Sequence, residues 1–155
     1  MNSNFLLIAV LVLILISSFA FILQTEFPKT MCEDNFSATV SRVIDGDTIV
    51  VNECAEHLRL ALVNTPEVNQ AGYQEAKDYT SSLCNVGSKI KINQDSGQPH
   101  DYYGRIVAEI YCQNKNLNAE LVTNNLAVIE TQYCSRSEFA TESWAWNNGC
   151  KNALE

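Results

Sequence analysis

Three short stretches of this chain carry side chains that could act on a charged substrate. The first is Val43-Ile44-Asp45-Gly46-Asp47-Thr48-Ile49, with two carboxylates flanking a glycine that permits a tight turn. Two negative charges so close are costly without a cation nearby, and hard cations such as Ca²⁺ take oxygen ligands. An ordinary Asp-Gly hairpin with solvated acids would read the same way. The second stretch runs from Leu58 to Glu67 (RLALVNTPE after Leu58). It places Arg59 in an otherwise apolar strand, where an unpaired cation is expensive. Glu67 follows the strand end, in the kind of loop that carries function. Thr65-Pro66-Glu67 also fits a helix start, with a cap, a proline at the first helical position and an acid in the first turn. The third stretch, Asp101-Tyr102-Tyr103-Gly104-Arg105, puts an arginine at the head of a strand after a glycine turn, where it could equally be a strand-edge charge. His57 and His100 are the two histidines; neither has a partner at metal spacing, so both are expected to be structural or solvent-facing.

The elements that would position these groups follow from periodicity. Residues 36–44 and 48–52 are β-branched and strand-like, joined by the Asp45-Gly46 turn. Residues 57–63 form a third strand that stops before Pro66. A helix is expected from about 72 to 85, strands over 88–93 and 105–111, and a short helix over 117–125. A last helix is expected from Ser135, where Ser135-x-x-Glu138 has the form of a capping box, to Gly149. Trp144 and Trp146 within it are read as packing residues. Five short strands with a helix after the third suit a small closed barrel of OB type.

Ahead of that domain, residues 5–23 hold no charged side chain and only Ser17 and Ser18 as polar ones. At about 1.5 Å per residue, such a helix crosses a hydrocarbon core of about 30 Å. The segment 1–24 is therefore expected to be a transmembrane anchor, or a signal segment if it is cleaved, followed by a linker over 25–31 and a domain over 32–155. All six cysteines follow the apolar run, and none forms a CxxC pair. That pattern points to disulfides in an oxidising compartment, and so to an extracytoplasmic domain, either tethered or secreted. If the last helix is continuous, Cys134 and Cys150 should not pair. Sixteen helical steps separate Cα atoms by about 24 Å, whereas a disulfide spans about 4.4–6.8 Å. Net charge is −8, which argues against broad non-specific binding of nucleic acid but leaves room for a local cationic site.

Taken together, VIDGDTI, RLALVNTPE and DYYGR match in order and spacing the signature of the thermonuclease (staphylococcal nuclease-like) family. LNAELVTNNLA over 117–127 resembles that family's N-x-x-L-V-x-x-G-x-A segment, with Asn125 where glycine is usual. The resemblance spans about residues 36–150. It implies an α+β domain, an OB-fold-type five-stranded β-barrel with three helices, here preceded by the N-terminal transmembrane helix. It also implies a monomeric Ca²⁺-dependent nuclease acting on DNA or RNA. By the resemblance, Asp47, Asn64 and the Thr65 carbonyl hold the Ca²⁺ with Asp45 in support. Glu67 orients or deprotonates the attacking water, and Arg59 and Arg105 bind the phosphate. The family's second acidic ligand is Asn64 here, a neutral donor that should weaken calcium binding. The family's nucleotide-stacking tyrosines fall on Glu130 and Gln132, so Tyr102, Tyr103 or Tyr133 would have to supply stacking. The competing class is an OB-type module that binds nucleic acid or protein at the cell surface without cutting it.

Overall fold

Every second residue of the first strand turns inward, as the pleat requires. In β1 (Asn35–Val43), Ala38 and Val40 are buried, as is Val43 beyond an irregularity in register between Val40 and Arg42. This bulge bends the strand, so β1 can pair with different partners along its length. Its C-terminal half runs antiparallel to β2 (Thr48–Val51), and its N-terminal half runs antiparallel to β5 (Lys89–Gln94). β2 continues to β3 (Leu58–Leu60), and β5 to β6 (Ile106–Cys112). β3 then lies parallel to β6, with Leu58 opposite Ile106, Arg59 opposite Val107 and Leu60 opposite Ala108. That last pairing closes the five strands into a barrel. The computed structural model describes Cys32 and residues 34–154.

Ile49, Leu58, Leu60, Ile90, Ile92, Ile106 and Ile110 fill the interior. Helix α1 (Tyr73–Leu83) packs on the barrel through Ala76, Thr80 and Leu83, spaced four and three apart on one face. Helix α2 (Leu117–Thr123) is capped by the Asn116 side chain, which accepts from the Ala119 amide. The buried Asn118 side chain locks α2 to the barrel seam: its amide donates to the carbonyls of Ala61 and Ala108, and its oxygen accepts from the Ile110 amide. Asn125 takes a left-handed conformation (φ 57°), which explains why a glycine-like residue is wanted there.

Two expectations need correction. The third strand does not run unbroken over 57–63. It ends at Leu60, Leu62 adopts φ 60°, and Val63–Asn64 form a separate strand, β4. A two-residue strand, β7 (Lys115–Asn116), precedes α2; after it, β8 (Val128–Ile129) pairs antiparallel with β4. The last helix is also not continuous. A 3₁₀ turn (Glu138–Thr141) follows the extended Ser137, whose hydroxyl caps it. Glu142 is extended again, and only then do Ser143–Ala145, Trp146–Cys150 and Lys151–Leu154 follow as short helical pieces. Burying Phe139, Ala140, Trp144 and Ala145 in the core wins over helix propensity here. Glu138 does not close a capping box on Ser135; its carboxylate accepts from the Ser96 amide instead.

The broken helix brings Cys134 and Cys150 together, Cα to Cα 5.4 Å, and they form a disulfide. Their expected separation assumed one straight helix. Cys32–Cys54 and Cys84–Cys112 are the other two bridges, and all six cysteines are thus paired. The apolar segment 5–23 lies outside the described residues, and among the described residues no helix is long and apolar enough to cross a membrane.

Replacing Cys134 and Cys150 together by serine should lower stability by about 2–4 kcal/mol. Urea denaturation of the oxidised variant beside wild type measures this. An unchanged midpoint would show that the bridge does not constrain the chain.

Candidate active site

The Asp45–Asp47 turn meets the barrel, Thr65 and α1 at one point, and Gly46 makes that meeting possible. A Cβ at position 46 would lie 2.6 Å from Thr65 Cγ2 and 2.9 Å from the Ala76 Cβ. The glycine is thus needed for close approach more than for turn conformation. With the turn seated, the Thr80 hydroxyl donates to the Gly46 carbonyl at 2.7 Å. Asp47 is 5% exposed, and its Oδ2 accepts from the Thr65 amide at 2.8 Å and the Thr65 hydroxyl at 2.9 Å. Asp45, half-buried, accepts from the Asp47 amide. Burial, and then the charge of Asp47 beside it, raise the Asp45 carboxyl above its ordinary range.

Arg59 is 9% exposed, and its charge is compensated from several sides. Nη1 donates to the carbonyls of Leu60 and Val63 and lies 3.3 Å from Asp47 Oδ2. Nη2 donates to Glu130 Oε2 at 3.2 Å and to Asn64 Oδ1 at 3.4 Å. The left-handed Leu62 turns the Val63 carbonyl and Asn64 toward the guanidinium. An outlier of this kind in a leucine is characteristic of functional sites. The Glu130 amide donates to the Leu62 carbonyl, which fixes where its side chain starts. Burial raises the Glu130 carboxyl above its ordinary range, Arg59 pulling against it.

Arg105 is held more loosely. The Asp101–Gly104 turn, with Gly104 at φ 76°, folds back so that Asp101 Oδ1 accepts from the amides of Tyr103 and Arg105. Asp101 Oδ2 then accepts from Arg105 Nε at 2.6 Å, and Arg105 Nη1 reaches the Thr48 hydroxyl at 3.3 Å. The guanidinium sits over the Tyr103 ring, 5.4 Å from its centroid. Tyr102 and Tyr103 are 97% and 79% exposed and meet edge to face.

These groups line one cleft of about 310 Å³. Asp45, Asp47, Arg59, Asn64, Glu67, Tyr102, Tyr103, Arg105 and Tyr133 all face it. Thr65 does not; it is 3% exposed and borders the adjoining groove, its amide and hydroxyl serving Asp47. Helix α1 begins at Tyr73, so Glu67 lies in a loop and the helix-start reading of Thr65-Pro66-Glu67 fails. His57 and His100 are exposed, as expected. Sequence reasoning missed Glu130 as a site residue. The family resemblance puts it where a nucleotide-stacking tyrosine is usual, but nothing local marks its pairing with Arg59, because that partner lies 71 residues away.

Residues 57–153 match the sequence profile of the family described as Staphylococcal nuclease homologue. The chain belongs to that family. Endonuclease YncB of Bacillus subtilis (strain 168) is 32% identical over 105 residues, covering 63% of this chain and 49% of that protein. The SPbeta prophage-derived endonuclease YokF of the same organism is 31% identical over 103 residues, covering 61% of this chain and 34% of that protein. Thermonuclease of Staphylococcus hyicus is 33% identical over 96 residues, covering 57% and 56%. The chain thus spans about half or less of the first two relatives' length.

In this member of the family, the donors beside Arg59 suit a hard cation. The Asp45 and Asp47 carboxylates and the Asn64 amide are all oxygen donors, and the raised Asp45 carboxyl is a group that a nearby cation would relieve. A cation held by these two carboxylates would need water and neutral oxygens to complete its shell; among the described residues no group of three or more His, Cys, Asp or Glu is placed to hold a metal.

Burial opposes ionisation of Asp101, but the bonds donated by Arg105 outweigh it and hold the carboxyl below the ordinary aspartate value of 3.8. A depressed carboxyl contributes stability that is present above that value and lost as pH falls through the folded one. Asp101→Asn should therefore cost about 1 kcal/mol at neutral pH. Its melting temperature should converge on that of wild type as pH drops below 3.8. A constant difference across thermal melts from neutral to acid pH would contradict this.

Proposed function

We propose that this chain is a Ca²⁺-dependent nuclease that hydrolyses phosphodiester bonds of DNA or RNA outside the cytoplasm. The observation that carries the reading is the convergence on one cleft of two guanidinium groups, an acidic turn of hard oxygen donors and a loop carboxylate, Glu67. Membership of the nuclease family and the printed names of the relatives, endonuclease and thermonuclease, support it.

Arg105, aimed by Asp101 but with 27% of its side chain exposed, can fork onto two phosphate oxygens. Arg59 adds a second positive charge from the cleft floor. Together they offset charge that builds on the phosphoryl oxygens as water approaches phosphorus. Glu67, exposed in its loop, accepts the proton of that water as the new P–O bond forms; as the ester P–O bond breaks, the leaving oxygen takes a proton from solvent water. Asp47 and Asn64, with Asp45 in support and the Thr65 carbonyl joining them from the adjoining groove that Asn64 also borders, would hold the Ca²⁺. When bound, it supplies Lewis-acid stabilisation of the same phosphoryl charge. Thr65 keeps Asp47 pointed correctly for that role. Tyr102, Tyr103 and Tyr133 offer aromatic faces at the cleft mouth for bases. The apolar segment 5–23 would tether the domain to a membrane, or release it if residues 1–24 are cleaved. The three disulfides suit that oxidising setting.

Glu67→Gln keeps the shape and removes the base. Its single-turnover cleavage rate on single-stranded DNA, duplex DNA or RNA in calcium should fall by roughly 10²–10⁴ while oligonucleotide binding persists. Chelator should abolish wild-type cleavage. Full activity in chelator would end the calcium reading, and a wild type that binds but never cuts would make the domain a binding module.

A further inference from the structure

The two arginines of the cleft differ in what already holds them. Arg105 is anchored through Nε and one terminal nitrogen and keeps an exposed edge. Arg59 has both terminal nitrogens engaged. Nη1 serves two backbone carbonyls and Asp47, and Nη2 serves Asn64 and Glu130. Each terminal nitrogen carries two N–H groups, so no further anion can bind there until a partner leaves.

The partners are not equally able to leave. The Leu60 and Val63 carbonyls are backbone within the same chain segment, and Asp47 is buried and pinned by Thr65. Asn64 sits at the longest distance, on strand β4. Glu130 comes from another element, just past β8, on a long side chain that is 25% exposed and lines the cleft. Its backbone is tied down: its amide donates to Leu62, and its carbonyl accepts from the Tyr133 amide beside the Cys134–Cys150 bridge. The carboxylate is therefore kept within reach of Arg59 Nη2. A carboxylate and a phosphate present the same anionic oxygens to a guanidinium.

We propose that Glu130 is a specificity-determining residue whose carboxylate occupies, on Arg59 Nη2, the place of a substrate phosphate oxygen. A phosphate that engages Nη2 must displace it, and the displaced charge stays in a cleft that already holds Asp45 and Asp47. The competition falls on binding. It raises the concentration of phosphate needed to engage Arg59, and it discriminates against weakly charged ligands. That the displacing group is a nucleic-acid phosphate rests on the nuclease reading; the occupied guanidinium does not.

The test is E130Q, whose side-chain oxygen can still accept from Nη2 and keep Arg59 in place while the competing charge is gone. Inorganic phosphate alone is titrated into the full domain at constant ionic strength by calorimetry, and cleavage of single-stranded DNA in calcium is measured in parallel. Phosphate should bind about tenfold tighter to E130Q, and KM should fall by a similar factor, with the change concentrated in KM and not in kcat. E130D, which withdraws the carboxylate by one methylene, should fall between the two and serves if E130Q does not fold. Unchanged or weaker phosphate binding overturns the proposal, as does a loss confined to kcat, which would make Glu130 a positioning residue for Arg59. Tighter phosphate binding with no cleavage by wild type or variant would uphold the role of Glu130 and remove the nuclease reading.

Discussion

The ion pair between Arg59 and Asp47 is the contact on which the site depends. A guanidinium in the middle of β3, one of the two strands that close the barrel, has almost no access to water. Left alone there, it would cost several kcal/mol, which is about what breaking a buried pair exacts. The surrounding chain is arranged to prevent this. Asp47 is brought in by a turn that only glycine at position 46 allows, and Thr65 holds its orientation. The left-handed Leu62 delivers one more carbonyl. The same steps place Asn64, Asp45 and Glu67 on the wall of one cleft, so solving the burial problem of one arginine builds much of that cleft.

The charge balance of that cleft explains its chemistry. The protein carries a net charge of −8, and the cleft wall presents Asp45, Asp47, Glu67, Asp95, Asp101 and Glu130 against two arginines. A polyanion would be repelled from such a surface unless further positive charge were added. On the reading proposed above, a divalent cation at the Asp45–Asp47 turn would supply that charge and neutralise the repelling groups where a phosphate would bind. The two arginines differ in their bonding: Arg105 is aimed yet open, and Arg59 has both terminal nitrogens occupied.

The C-terminal segment matters to the site although it supplies few site residues. Trp144 donates to Glu109, a fully buried carboxylate on β6 that also accepts from Asn116 and Tyr111. Burial raises the Glu109 carboxyl, and the hydroxyl, amide and indole donors limit that rise. With the Cys134–Cys150 bridge, this network clamps the segment to the barrel and fixes the wall that carries Glu130 and Tyr133. In so small a domain, covalent bridges supplement a core too limited to hold every loop.

The sequence by itself determined the strand order, the first two helices, the Asp45-Gly46 turn and the three motifs that line the cleft. Those features depend on local periodicity, turn chemistry and short spacing, which a chain displays one residue at a time. It also gave the reason for paired cysteines, though not the pairing. Only the tertiary structure decided that β3 stops at Leu60, that the last helix breaks at Ser137 and Glu142, and that Cys134 therefore reaches Cys150. Only the structure showed Glu130 against Arg59. In each case the deciding energy is the burial of apolar groups or the pairing of a charge across many residues of sequence. Local propensity is weak beside such terms and carries no trace of them.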